Sequence, residues 1–133
     1  MSTQTSPGGS TFPYYHRNGE LHCLKYGSFA TNESGLLNLM KEEEAFLSKP
    51  HIKIPVWVDF YETKLTEPIL EEFLQSMDRL QPHIIKLALV GMSSKDKQRY
   101  HRIEKKLGVK FSIAVKFFNN PEVAKGWLVS EGS

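Results

Sequence analysis

Two short apolar runs with an amphipathic helix between them constrain the fold of this chain most strongly. The runs are residues 54–61 (IPVWVDFY) and 84–91 (IIKLALVG), which have the length and the β-branched or aromatic content of buried strands. Thr66 is the predicted N-cap of the intervening helix, with Glu67 and Pro68 in its first turn. The predicted apolar face of this helix consists of Ile69, Leu70, Phe73, Leu74, Met77 and Leu80. Because a strand–helix–strand unit needs a crossover connection, the two strands are predicted to be parallel.

The segment before this unit predicts a hairpin and a first helix. Asn18 and Gly19 lie between the apolar stretches FPYYHR and ELHCLKYGSF, and Asn-Gly is typical of the type I′ turn that closes a β-hairpin. Asn32 is predicted to cap a helix over residues 33–48, because its side-chain oxygen can accept from free amides of the first turn. Glu33 favours the same helix start through the positive end of the helix dipole.

The segment after it predicts a helix, a strand and a last helix. Ser93 or Ser94 caps a basic helix that ends at Gly108, and the sequence KFSIAVKFF alternates like a strand. Pro121 opens the last helix. Its inward side chains are predicted to be Val123, Ala124, Trp127 and Leu128.

These elements predict one α/β domain. A single mixed and mostly parallel sheet with an N-terminal β-hairpin and about four helices follows from the alternation of strands and helices. Residues 1–10 hold only small or polar side chains after Met1, so they are predicted to form a flexible tail in front of a domain over residues 11–130. The length of 133 residues fits one domain with one sizeable core.

Cysteine content and the N-terminal sequence bear on the compartment. Cys23 is the only cysteine, which excludes an internal disulfide and favours a reducing compartment. The start, MSTQTSPGGSTF, lacks the charged and apolar regions of a secretory signal, and no stretch is apolar enough to span a membrane. We therefore expect a cytoplasmic protein.

Charge is unevenly distributed along the chain, although the formal net charge is only +2. Residues 93–110 hold seven bases and two acids, a net charge of +5, whereas residues 62–78 hold one base and five acids, a net charge of −4. At helical spacing, Lys95, Arg99, Arg102 and Lys106 are predicted to share one exposed face, opposite a thin apolar stripe of Tyr100, Ile103 and Leu107. That face could attract an anion or an acidic partner, or it could be an ordinary solvated face. Nucleic acid is not expected as a partner, since acids dilute the bases and no aromatic platform accompanies them.

The hairpin, the LALVG strand and above all the ending VKFFNNPEVAKGWLVS resemble the SpoIIAA-like branch of the STAS domains (sulfate transporter and anti-sigma factor antagonist), which are related in fold to a lipid-transfer module. The resemblance covers about residues 15–130 and implies a SpoIIAA-like (STAS-like) topology. In the anti-sigma antagonists of that family, a kinase phosphorylates a Ser or Thr at the start of the helix after the central strand. The resemblance thereby places a partner or phosphoswitch surface at Asp59, Thr63 and Thr66, although the family's Asp-Ser-x-Gly motif itself is missing here.

The same three positions also have purely structural interpretations. Asp59 ends a central strand, at the edge where ligands collect in open α/β sheets, but its side chain could instead accept hydrogen bonds from the following loop. Thr66 could be a simple N-cap.

No catalytic constellation is visible, and the five histidines lack the spacing of a metal site, so neither an enzyme nor a metal or other cofactor is predicted. The leading hypothesis is a non-enzymatic regulatory or protein-interaction domain with a protein partner, and a homodimer stays open. The alternative is a small carrier that encloses an apolar or lipid ligand, suggested by five aromatic residues, Phe60, Tyr61, Phe73, Phe117 and Phe118.

Overall fold

The computed structural model describes residues 4–130. Within this range the chain forms a five-stranded sheet, a two-stranded ribbon and four α-helices, which confirms the predicted α/β class with a mostly parallel sheet and an N-terminal hairpin. The strands are β1 (Gln4–Thr5), β2 (Thr11–Phe12), β3 (Tyr14–His16), β4 (Gly19–Lys25), β5 (Ile54–Asp59), β6 (Ile84–Val90) and β7 (Ala114–Phe118). The helices are α1 (Glu33–Leu47), α2 (Glu67–Leu80), α3 (Ser94–Leu107) and α4 (Pro121–Val129), and a short 3₁₀ helix (Gln81–His83) joins α2 to β6.

The sheet has its strands in chain order, β3-β4-β5-β6-β7. Strands β4 to β7 are parallel, and β3 pairs antiparallel with β4. Helices α1, α2 and α3 connect successive parallel neighbours, and right-handed crossovers place all three on one face, where α2 packs between the other two. Helix α4 packs on the opposite face against β4, β5 and β6.

The core is divided between the two faces of the sheet. The larger part lies under α1, α2 and α3 and includes Tyr26, Phe60 and Phe73 with almost no exposure. The smaller part lies under α4 and consists of Leu21, Ala88, Val90, Ala124 and Leu128. Each part removes apolar side chains from water, which is the main favourable contribution to folding.

Strand β5 is buried less completely than its sequence predicts. Val56 and Val58 face the larger core and are fully buried, whereas Trp57 and Asp59 on the α4 side are half-buried. Helix α4 has only nine residues, so this face of the sheet is covered less than the face under α1, α2 and α3.

The hairpin is present, but its turn is one residue earlier than predicted. His16 pairs with Gly19, which leaves Arg17 and Asn18 as the two loop residues, with φ of 49° and 67°. Positive φ at both positions is typical of a type I′ turn. Gly19 is needed for another reason, because a Cβ there would lie 2.5 Å from Val129 Cγ1.

The N-terminal segment differs from the predicted flexible tail. Residues 1–3 lie outside the described residues, but Gln4 and Thr5 pair with β2, and Ser6 and Ser10 are buried. The Ser10 hydroxyl donates to the backbone oxygen of Cys23 at 2.6 Å. Small polar side chains hold this segment by hydrogen bonds, which is why a search for apolar residues does not detect it.

The helix ends agree with the capping predictions. Asn32 accepts a hydrogen bond from the Gly35 amide, and Ser93 accepts one from the Asp96 amide, both at 3.1 Å. Gly108 ends α3 with φ of 70°. In α4 the prediction is wrong for Val123, which is 58% exposed, because positions 124 and 128 are the ones that face the sheet.

Candidate functional site

The loops after β4 and β5 and the starts of α1 and α2 surround a cavity of about 200 Å³ at the carboxyl edge of the sheet. The two loops are tied together by backbone hydrogen bonds, from Ala30 N to the Glu62 oxygen at 2.9 Å and from Lys64 N to the Ala30 oxygen at 2.8 Å. The cavity is lined by Phe29, Ala30, Thr31, Asn32, Glu33, Leu36, Thr63, Lys64, Thr66 and Ile69. We refer to it as the Thr66 cavity.

Thr63 fixes the position of one loop against the other. Its hydroxyl donates to the backbone oxygen of Tyr26 at 2.7 Å and accepts from the Phe29 amide at 3.1 Å. Both hydrogen-bonding capacities of the hydroxyl are therefore used inside the fold.

Thr66 links the first turns of two helices. Its oxygen accepts from the Ile69 amide at 3.5 Å, as expected of an N-cap, and its hydroxyl donates to Glu33 Oε2 at 3.0 Å. The Glu33 carboxylate thus lies at the positive ends of both the α1 and the α2 dipoles.

Asp59 lies apart from the two threonines. Its Oδ1 accepts from the Tyr61 amide at 2.9 Å, which is the loop-stabilising hydrogen bond of the structural interpretation. The side chain belongs to a hollow on the α4 side of the sheet rather than to the Thr66 cavity. Of the three positions, the fold therefore brings only Thr63 and Thr66 together.

The loops around the cavity contain three non-glycine residues with left-handed backbone. Ser28, Ala30 and Glu62 have φ of 63°, 48° and 51°. Such a conformation costs roughly 1–2 kcal/mol per residue and persists only where the surroundings enforce it. Sequence patterns do not detect it, because neither Ser, Ala nor Glu is typical of this region of φ.

The predicted basic face of α3 is largely paired within the chain. Arg99 donates to the Leu65 backbone oxygen at 2.8 Å, Arg102 pairs with Glu67 at 3.2 Å, and Lys106 lies between Glu67 and Glu71. The hydrogen bond that Lys106 donates to Glu71, followed by the one it donates to Glu67, raises the pKa of the Lys106 ammonium. Lys95 is exposed at the start of the helix.

The acidic segment 62–78 and the basic segment 93–110 therefore meet where α2 packs on α3. The two opposite charges identified in the sequence neutralise each other in part across this contact. The surface offered to an acidic partner is smaller than the sequence predicts.

A buried polar cluster was not predicted from the sequence. Glu43 on α1 accepts from Ser6 Oγ at 2.8 Å and from the Gly8 amide at 2.9 Å, and its other oxygen lies 3.1 Å from His22 Nε2. The available signal was the spacing of position 43 with Leu36, Met40 and Leu47, which places it on the buried stripe of α1.

The five aromatic residues on which the apolar-carrier hypothesis rests differ in burial and do not all lie together. Phe60 and Phe73 pack edge-to-face in the core at 5.0 Å between ring centroids, whereas Tyr61 is 62% exposed. Phe117 and Phe118 are half-buried on opposite sides of the last strand. Tyr61 lines the hollow beside Asp59, and none of the other four rings lines that hollow with it.

The fold and the site define an α/β domain with a small cavity, lined by polar and apolar side chains, at the carboxyl edge of a mostly parallel sheet. No family model, curated protein or solved structure matches this chain.

Residues 4–130 contain no group of three or more His, Cys, Asp or Glu side chains arranged to hold a metal ion. None of the helices in this range has the length and apolar character needed to cross a membrane.

Proposed function

We propose that the chain is a non-enzymatic, cytosolic regulatory domain of the SpoIIAA-like (STAS) type that binds a protein partner at the Thr66 cavity. The observation that carries the proposal is the hydrogen bond between Thr66 and Glu33, which joins the first turns of α1 and α2 at the carboxyl edge of the sheet. This is the place where the sequence resemblance puts a phosphorylated residue.

A phosphate on Thr66 would change the electrostatics of this contact. It would bring a charge of about −1.5 to −2 against the Glu33 carboxylate, whose oxygen lies 3.0 Å from the unmodified hydroxyl. The dipole of α2 attracts the phosphate while Glu33 repels it, so the first turn of α1 is displaced from α2. A partner that contacts both helix starts would then lose part of its binding surface.

The experiment compares Thr66→Glu, Thr66→Ala and Thr66→Ser with Ser94→Glu, which adds the same charge at the exposed start of α3. Each variant carries an affinity tag and is purified from the natural host. The proteins that co-purify with it are identified, and its intact mass shows whether it carries a phosphate. We expect the wild type, Thr66→Ser and Ser94→Glu to retain the partner and Thr66→Glu to lose it. A phosphate on the wild type should be absent from Thr66→Ala.

A purely structural Thr66 gives a different result. Thr66→Ala then loses about 1 kcal/mol of stability as a missing cap, Thr66→Ser is nearly neutral, and every folded variant recovers the same proteins without a phosphate. That outcome would contradict the proposed switch.

A further inference from the structure

A second hollow surface lies on the opposite side of the sheet from the Thr66 cavity, beside Lys125 of α4. Two adjoining hollows of about 260 and 280 Å³ share Cys23, Lys25 and Trp57. The first hollow, here called the Trp57 groove, is lined by Gly9, Ser10, Thr11, Tyr14, Cys23, Lys25, Trp57 and Lys125. It lies over β4 and β5, in which Cys23 and Trp57 are paired neighbours.

Two aromatic rings form the apolar part of the groove. Tyr14 and Trp57 meet edge-to-face with 5.5 Å between their centroids, and Trp57 is only half-buried. Aromatic pairs of this geometry accept a further ring by offset or edge contact.

Two basic side chains line the groove, and Lys25 is the one that can meet an anion. The lining includes Lys25 and Lys125 and no Asp or Glu. Lys25 is exposed and donates to the Gly9 backbone oxygen at 3.3 Å. Lys125 is only 8% exposed, lies 5.3 and 5.5 Å from the Tyr14 and Trp57 ring centroids, and pairs with Glu122.

The Cys23 side chain in the lining of the groove is neutral. Burial, with a smaller contribution from Asp59, raises the pKa of the Cys23 thiol to about 12. The groove therefore presents a thiol rather than a thiolate at neutral pH, which suits non-covalent binding of an anion.

We propose that the Trp57 groove binds a small aromatic carboxylate, with its ring against Trp57 and Tyr14 and its carboxylate on the Lys25 ammonium. The Lys125 ammonium lies at the other wall, where its charge is compensated by Glu122. The volume suits a ligand of one or two rings and is too small for a lipid chain with its headgroup. This site is separate from the proposed partner surface at Thr66.

The test uses the full chain, isotope-labelled for nuclear magnetic resonance and titrated with naphthoate or with the neutral isostere naphthamide. We expect naphthoate to shift the amide signals of β4 and β5, and naphthamide to bind more weakly. Lys25→Met should weaken naphthoate binding about tenfold, the effect of losing one charge-assisted hydrogen bond. Lys116→Met is the matched control, because Lys116 is also exposed and lies on the same face of the sheet, over Trp127.

Several results would overturn the proposal. Equal binding of naphthamide and naphthoate would show that the charge is not recognised. The same affinity in Lys25→Met and Lys116→Met would exclude Lys25 as the anion contact. If millimolar naphthoate shifted no amide signals, or only those of the helix starts around Thr66, the groove would not be a binding site for an aromatic anion.

Discussion

His22 on β4 and Glu43 on α1 lie 3.1 Å apart, between Nε2 and Oε1, and neither side chain has any exposed surface. The second Glu43 oxygen accepts hydrogen bonds from Ser6 Oγ and from the Gly8 amide. One buried carboxyl group therefore joins a strand, a helix and the N-terminal segment. A buried acid is stable only when such partners replace its lost hydration. The N-terminal segment is therefore part of the folded unit, in contrast to the tail predicted from its composition.

Replacement of Glu43 tests this relationship. Glu43→Ala should destabilise the protein by about 3–5 kcal/mol, because it leaves the His22 ring and the Ser6 hydroxyl buried without their partner. Glu42→Ala, one residue earlier on the exposed side of α1, should change stability by about 0.5 kcal/mol or less. Urea denaturation followed by circular dichroism measures both. Similar small effects would mean that the cluster does not stabilise the fold.

The apolar face of α2 gives a second prediction. Phe73 and Leu74 have no exposed surface, so Phe73→Ala or Leu74→Ala should each cost about 2–5 kcal/mol through lost burial and the remaining cavity. Glu72 is partly exposed and pairs with Arg79 at 3.2 Å, so Glu72→Ala should cost about 1 kcal/mol or less. Chemical denaturation distinguishes these values, and equal effects at all three positions would place the wrong face of α2 in the core.

The unit from β5 to β6 could be predicted from the sequence because its strands and helix have clear apolar patterns and a strong cap at Thr66. Features that depend on polar side chains and on tertiary contacts could not. The docking of Ser6 and Ser10 and the burial of Glu43 rest on hydrogen bonds to distant parts of the chain. Apolar periodicity carries no information about such contacts.

The candidate site was predicted in part. The resemblance placed Thr63 and Thr66 in one region, and the fold puts both at one cavity, but Asp59 points to the other side of the sheet. Glu33 was recognised only as a favourable residue in the first turn of α1. Its contact with Thr66 depends on the side-by-side packing of α1 and α2, which requires the strand order.

The contact between α2 and α3 gives a third prediction. Lys106→Glu should lower the denaturation midpoint, because it places a third carboxylate beside Glu67 and Glu71. Adding Glu71→Lys should recover part of the loss by restoring an opposite pair, and Lys105→Glu on the same helix should have a smaller effect. Rising salt should reduce these differences, since exposed charges are screened. A double variant no better than Lys106→Glu would exclude this ion pair as a stabilising contact.

The fourth prediction concerns the pH dependence of stability and rests on Glu44. Two hydrogen bonds from Arg79, at 2.7 and 2.8 Å, with a further one from Ser76, lower the pKa of this carboxyl below its ordinary value of 4.5. A carboxyl with a lowered pKa in the folded state stabilises the protein above about pH 4.5, and this contribution is lost as the pH falls through the folded-state pKa. Glu44→Gln should therefore be less stable than the wild type at neutral pH, and the difference should shrink as acid protonates Glu44. Glu42→Gln, on the exposed side of the same helix, should follow the wild type throughout. Urea denaturation at a series of pH values measures the three proteins, and a Glu44→Gln deficit that stays constant into strong acid would show that the Arg79 contact does not depend on the charge of Glu44.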